Sequence, residues 1–537
     1  MKISLNSKTF LKIFKTGAFW YWLNAFLVFI YWRVTEVLKL VDAPDSGTYS
    51  SFGEIYTMLS SARTLGYPLF IQAVSVISPD LSILPTVQFF IYAIAAFVFF
   101  VSLRIYGFSQ LQALIITCPL FYLQFPQTYI PYLLTESLAV SFAMLTIAFL
   151  ILVVSKPKNI LLWLGLSVTL FYTYQIRPAF LFLIPLIPLL GLALFVIKYN
   201  YLNWHQRYSK ILLQLLATSI IPLLLFSTFR FFIVGQFGLV SFGGFNIMGI
   251  ASQMLTEDLL PSLSLENQKI ANLIIEKRDN DRKILSEPEK HSEHPLLVHN
   301  VPIECTKPLP MHYPNWVNCY NYHIWLLSTP IVADLENYGN IIAVNEAFKS
   351  ISQEIIVHRP RLYLQWLKEA FNQGIIGTAT IDKLVFWSSN IFLGILSINI
   401  FLLIFNQLTK NKPYVLKYSL LSVAVLSGII LLKRFLPLIL GFLLNFGVVA
   451  SFSGVTIINL GVFYKYLWQK ENINSLIVNT SVFAIVAFSY FLSGLILVIL
   501  VEPPIPRYLG AKSIFLASSL FLFSYTATVY TIKQVRR

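Results

Sequence analysis

Long apolar runs alternate with short polar stretches along this chain, and the apolar runs lack the period-two alternation of strands. Many of these runs reach the ~20 residues that a helix needs to cross hydrocarbon, those near 84–103, 133–154, 179–197, 211–233 and 475–500 among them. Backbone groups in lipid must pair within their own segment, so the pattern predicts helices rather than a barrel. Runs at 17–31, 111–125, 160–174, 384–407, 414–432, 435–464 and 511–530 bring the expected total to about twelve spans. The run at 435–464 is long enough to contain a break at Ser451–Gly454, and tilt would also accommodate it as one helix. Tyr67–Ile77 is apolar but too short to span, and reads as a helix lying along the membrane surface.

This pattern predicts an all-α polytopic membrane protein in three parts. Residues 1–233 form an N-terminal module of about seven spans, with a polar first loop at 39–83. Residues 234–383 form one large, mainly helical loop, and 384–537 a C-terminal module of about five spans. Within the large loop, Asn345–Asn372 mixes apolar and charged residues at helical spacing, with Pro360 as the break between two helices.

Composition strengthens the class: of 537 residues, 57% are hydrophobic and 12% charged, against about 25% charged in a soluble domain. The net charge of +15 does not describe a nucleic-acid binder, because Lys and Arg punctuate the spans instead of gathering on one polar face. With the N-terminus inside, the segments Lys156/Lys158, Lys198–Lys210, Lys410/Lys412, Lys465–Lys470 and Lys533–Arg537 all fall on the cytoplasmic side. Sixteen of the 24 acidic residues lie in the large loop, which this topology places outside. Both termini are then cytoplasmic, and the first run is an uncleaved helix because no small-residue cleavage site follows it. The absence of an Asn-x-Ser/Thr sequon from the loop favours a bacterial plasma membrane. Cys305 and Cys319 share that loop, where a disulfide can persist, but spacing alone does not show that they meet.

Candidate chemistry collects at the outer ends of the spans. The first loop holds Asp42, Asp45 and Tyr49, then Arg63, Thr64, Gly66, Tyr67, Pro68, Leu69 and Phe70. Thr135-Glu136 opens the fourth span, Arg177-Pro178 separates the fifth and sixth, and Glu502-Pro-Pro-Ile-Pro-Arg507-Tyr508 precedes the last. A carboxylate at the membrane boundary needs a partner or a wet cavity, although Glu136 also suits a helix N-terminus and Asp45 also suits a cap. Arg forks a phosphate with paired hydrogen bonds, so Arg63, Arg177 and Arg507 suit a lipid phosphate. Structural ion pairs, such as Glu502 with Arg507, are the competing reading. Asn246 lies in the Ser241-Phe-Gly-Gly-Phe-Asn246 stretch, whose glycines suit either a segment that shapes the pocket for sugar or acceptor or the relief of strain where a helix ends. His291, His294 and His299 have suggestive metal spacing, but Pro295 interrupts the helix that would align them, so no metal site and no cofactor is expected.

Pro-Asp45-Ser with Tyr49, Arg63-Thr-x-Gly-Tyr67-Pro-Leu-Phe, Thr-Glu136, Arg177-Pro, His358-Arg359-Pro360-x-x-Tyr363 and Pro-Arg507-Tyr508 together resemble the C-class membrane glycosyltransferases. The branch they resemble includes the bacterial aminoarabinose transferases and relatives of the protein O-mannosyltransferases. The resemblance covers most of the chain by order and spacing. It implies a polyprenyl-phosphate sugar donor, a glycan, lipid or protein acceptor, and inverting transfer on the non-cytoplasmic face. It maps the catalytic acid of the first loop onto Asp45, with Asp42 as a competitor, and the second acidic site onto Glu136. Arg63, Tyr67, Arg177, Arg507 and Tyr508 would hold the donor. Some members carry two adjacent acids where Ser46 follows Asp45 here, which puts a metal at that point in doubt. The rival functions are a lipid-linked glycan polymerase or ligase, and a transporter or flippase. Few charges occupy the helix middles, which counts against transport.

Overall fold

A computed structural model of the chain describes residues 16–50, 54–199, 204–290, 293–308, 316–335, 340–379 and 474–535. Apart from one isolated bridge, these residues form helices and connections, with no strand among them. The expected spans 384–407, 414–432 and 435–464 lie outside the described residues, as does His291.

In chain order the main helices are α1 (Gly17–Val34), α2 (Gly66–Ser75), α3 (Leu84–Tyr106), α4 (Gln110–Thr117), α5 (Thr135–Ser155), α6 (Ile160–Ile176), α7 (Leu183–Tyr199) and α8 (Trp204–Val234). The loop region contributes α9 (Gly243–Ala251), α10 (Leu265–Ser286), α11 (Ile341–His358) and α12 (Pro360–Ala379). The C-terminal part contributes α13 (Ser475–Val501), α14 (Pro506–Lys512) and α15 (Ile514–Val535). Five stretches, Leu84–Tyr106, Thr135–Ser155, Pro178–Tyr199, Tyr208–Val234 and Ser475–Val501, are long and apolar enough to cross a membrane. This is a helical membrane protein.

α5 is the central helix, packed against α3, α6 and α7. Buried hydroxyls join it to its neighbours: Thr146 and Thr173 meet at 3.2 Å, and Ser137 donates to Gln88 on α3 at 2.6 Å. The run expected as one span at 111–125 is divided. α4 stops at Thr117 and gives way to a 3₁₀ turn, Cys118–Tyr122. Pro119 cannot donate the next helical hydrogen bond, and in the turn that follows Leu120 O accepts from the Tyr92 hydroxyl at 2.9 Å. Pro360 divides α11 from α12 as the sequence indicates.

The loop region is tied together by close contacts. Gly244 on α9 lies so near α11 that a Cβ there would sit 2.1 Å from the Asn345 carbonyl oxygen, and its N–H donates to Asn345 Oδ1 at 2.9 Å. Gly243, by contrast, has open space around it. Cys305 and Cys319 form a disulfide, which settles the pairing that the sequence left open. His323 beside it is buried: its Nε2–H donates to Cys305 O at 2.9 Å, and Nδ1 lies 2.9 Å from Ser252 Oγ.

The same region closes over the end of α13, whose last carbonyls lack helical partners. Trp366 Nε1 donates to Ile499 O (3.0 Å), Tyr363 Oη to Leu500 O (2.8 Å) and Tyr320 Oη to Val501 O (3.1 Å). Tyr363, part of the His358-Arg359-Pro360 motif, therefore holds the end of a membrane helix, while Arg359 pairs with Asp258.

Candidate functional site

The first loop is laid against the segment preceding α5 as a short parallel pairing. Val41 N donates to Pro131 O (3.0 Å), and Leu133 N donates to Val41 O (3.1 Å). Ser46 Oγ accepts from Ala43 N and donates to Leu133 O at 3.0 Å. From α3, the buried Gln88 amide donates to Ile130 O and Tyr132 O. These contacts set Asp45 beside the start of α5, where Glu136 lies in the first turn.

Four distant segments then meet. Asp45 Oδ1 accepts from Arg63 Nη2 at 3.2 Å, and Asp45 Oδ2 from Arg507 Nη1 at 2.9 Å. Glu136 Oε1 pairs with Arg177 Nη1 at 2.7 Å and with Arg507 Nε. Arg177 also donates to Thr135 Oγ1 at 2.8 Å. Two carboxylates and three guanidiniums thus form one connected cluster at a single end of the helix layer. The Glu136 side chain is 1% exposed, whereas those of Arg507, Arg63 and Asp45 are 25%, 26% and 36% exposed. The cluster runs from a sealed floor to an open edge.

Aromatic rings support its cations. The Arg63 guanidinium lies 4.9 Å from the Tyr49 ring centre, and Arg177 lies 5.1 Å from that of Tyr508. Tyr67 is buried with its ring edge-on to Tyr49, centres 5.3 Å apart. Helix α2 is clamped to the end of α6, just before Arg177. Tyr172 Oη donates to Gly66 O at 3.0 Å, and Thr64 Oγ1 to Ile176 O at 3.3 Å.

Burial pushes the Asp45 carboxyl up, but the Arg507 hydrogen bond and the Arg63 charge outweigh it and hold it below the usual carboxylate range. Burial likewise opposes the charge on Arg507, and Glu136 and Asp45 more than compensate, so that guanidinium stays ionised. Glu502 behaves differently. It is buried beside Tyr508, which hydrogen-bonds it, and burial pushes its carboxyl up to about 7 against the pull of Arg177, Lys512 and Arg507.

Most of the residues singled out from sequence are brought together: Asp45, Arg63, Glu136, Arg177, Arg507 and Tyr508, with Tyr49 and Tyr67 in support. Asp42 is not among them. It is exposed and makes no ion pair among the described residues. Asn246 is held instead by Tyr320, whose Oη donates to its Oδ1 at 3.4 Å. The simple local pair of Glu502 with Arg507 does not form; Arg507 turns to Asp45 and Glu136 instead. The capping role open to Asp45 is filled by its backbone, since Thr48 N donates to Asp45 O. Arg230 is structural: it is buried on α8 and donates to Leu59 O and Ser241 Oγ. Lys512 is buried, donates to Ala179 O at 2.7 Å and lies 3.4 Å from the Phe180 ring centre. Gln88 does not stand out in the sequence as a residue that sets the site, because its side-chain amide acts on the backbone carbonyls of Ile130 and Tyr132.

Among the described residues no group of His, Cys, Asp and Glu is arranged to hold a metal ion. His294 Nδ1 accepts from Leu296 N at 3.3 Å as a local cap. No protein-family model, curated protein or solved structure matches the chain.

Proposed function

We propose that the chain is an inverting glycosyltransferase that takes its sugar from a polyprenyl-phosphate lipid at the non-cytoplasmic membrane face. The observation that carries this reading is the convergence of Asp45, Glu136, Arg63, Arg177 and Arg507 from four separate segments at one end of a membrane helix layer. Three guanidiniums against two carboxylates leave an excess positive charge, suited to an anionic headgroup anchored in lipid. The resemblance of the flanking motifs to the C-class glycosyltransferases supplies the reaction class.

In the reaction the acceptor hydroxyl attacks the anomeric carbon from the face opposite the phosphate. A carbon–oxygen bond forms, the bond to the phosphate oxygen breaks, and the electron pair leaves with that oxygen. Asp45 takes the hydroxyl proton, a role typically worth about 10²–10⁴-fold. Arg63 and Arg507 face the charge that grows on the phosphate, while Arg177, seated on Glu136 and Tyr508, completes the donor side. The same arginines hold Asp45 ionised. A phosphate that recruits them loosens that hold and raises the basicity of Asp45 at the moment it is needed. Glu136 sits too deep to meet the acceptor and instead fixes Arg177 and Arg507 in place.

The test compares lipid-linked sugars in cells carrying the wild-type chain and Asp45→Asn. The reading expects one polyprenyl-phosphate sugar to accumulate in the variant, and unchanged turnover with normal expression would remove it.

A further inference from the structure

Glu502 takes no part in the transfer step described above, yet it lies against the same cluster. It ends α13 at the point where Trp366, Tyr363 and Tyr320 fasten the last carbonyls, so its backbone is held from the loop side. Its side chain hydrogen-bonds Tyr508, and the Tyr508 ring carries the Arg177 guanidinium. Arg177 in turn pairs with Glu136. The charged and titratable groups around Glu502 are Arg177 from the α6–α7 junction, Arg507, Tyr508 and Lys512 from α14, and Tyr320 from the loop region.

We propose that Glu502 is a positioning residue whose charge, relayed through Tyr508 and Arg177, sets how tightly the arginine cluster holds the phosphate of the lipid donor. This rests on reading the cluster as a lipid-phosphate site. Ionised, Glu502 adds a negative charge beside Arg177 and competes for its field. Protonated, it removes that charge and leaves the cluster one unit more positive. The carboxyl titrates close to neutral pH, so the switch falls within the working range of a cell envelope. Affinity for an anionic phosphodiester then weakens as pH rises through 7. Coulomb interaction over the breadth of such a cluster, partly screened, makes the effect about three- to thirty-fold.

The experiment uses the full chain in nanodiscs of uncharged lipid, with methyl undecaprenyl phosphate as probe, because a diester keeps a single charge between pH 6 and 8. Wild type binds about three- to thirty-fold more weakly at pH 8 than at pH 6. Glu502→Gln binds equally at both and close to the wild-type value at pH 6. Difference infrared spectra show a protonated carboxyl band that fades between these pH values in wild type and is absent in Glu502→Gln. Tyr508→Phe, which removes the hydrogen bond that favours the ionised carboxylate, moves the fading to higher pH and serves if Glu502→Gln does not fold. Equal wild-type affinity at the two pH values, or an unchanged pH response in Glu502→Gln, overturns the inference alone. Binding with the expected pH response but no sugar transfer leaves the inference standing and removes the transferase reading, and no binding at either pH removes both.

Discussion

Gly66→Ala puts the placement of the site under a test whose sign is informative. Gly66 opens α2, and alanine there is favoured over glycine by about 1 kcal/mol on helix propensity alone. A Cβ at this position, however, would stand 2.6 Å from both the carbonyl carbon and oxygen of Gln175 and 2.8 Å from Ile176 N. These are backbone atoms of α6, and no side chain can rotate out of the way. The two helices must part by about 0.8 Å to reach ordinary contact. Arg63 lies three residues before this contact and Arg177 two residues after Gln175, so parting the helices moves one guanidinium relative to the other. A misplacement of about 1 Å in a reacting site reduces rate by roughly 10²-fold. The overpacking itself costs about 1–3 kcal/mol, enough to cancel the propensity gain. Donor turnover and thermal unfolding, measured on the same purified chain, separate the two effects. The expectation is turnover lowered by one to two orders of magnitude, roughly, with a Tm unchanged or lower. A variant as active as wild type and more heat-stable would show that α2 yields freely and does not set the arginine spacing.

Three further outcomes follow from the geometry. Glu136→Ala leaves Arg177 and Arg507 without their buried partner and costs about 3–5 kcal/mol, read as a lower Tm and loss of donor binding; unaltered binding would exclude the seating role. Burial holds the His323 ring neutral and pushes its pKa down to about 3, so the unfolded chain takes up a proton below about pH 6.5 that the folded chain refuses. Stability is therefore complete above that value and declines by about 2 kcal/mol on going to pH 5, a slope that His323→Asn lacks and that unfolding at several pH values measures. Lys512→Met keeps the buried stem but removes the ammonium that donates to Ala179 O; it is expected to alter donor affinity while Tm falls by little, and unchanged affinity would confine Lys512 to packing.

A charge among apolar residues is conspicuous, which is why Glu136, Arg177 and Arg507 were legible in the sequence as site candidates. Their partners were not. Arg507 has an acid five residues away in Glu502, yet its carboxylates are Glu136 and Asp45, 371 and 462 positions distant. Only packing of α5 against the loop at 39–83 decides that choice. Five of the expected spans are long apolar helices among the described residues, but hydropathy does not register a missing N–H, so the interruption after Thr117 read as continuous helix. Trp366, Tyr363 and Tyr320 show the same limit from the other side. Their aromatic character is visible, but the bare carbonyls they satisfy belong to a helix more than a hundred residues further along the chain.

On the proposed reading, those three aromatic donors also bear on how a substrate enters. Lifting α12 would strand two carbonyls, those of Ile499 and Leu500, at the end of a membrane helix, each worth about 0.5–1.5 kcal/mol when bonded and more when left bare in an apolar setting. That wall is a fixed threshold. The open edge is the one where Asp45, Arg63 and Arg507 remain a quarter to a third exposed, so the doorway faces Asp45. On the proposed reading, acceptor and donor phosphate meet at that edge, where Asp45, Arg63 and Arg507 lie together, and Glu136 forms the sealed floor beneath them.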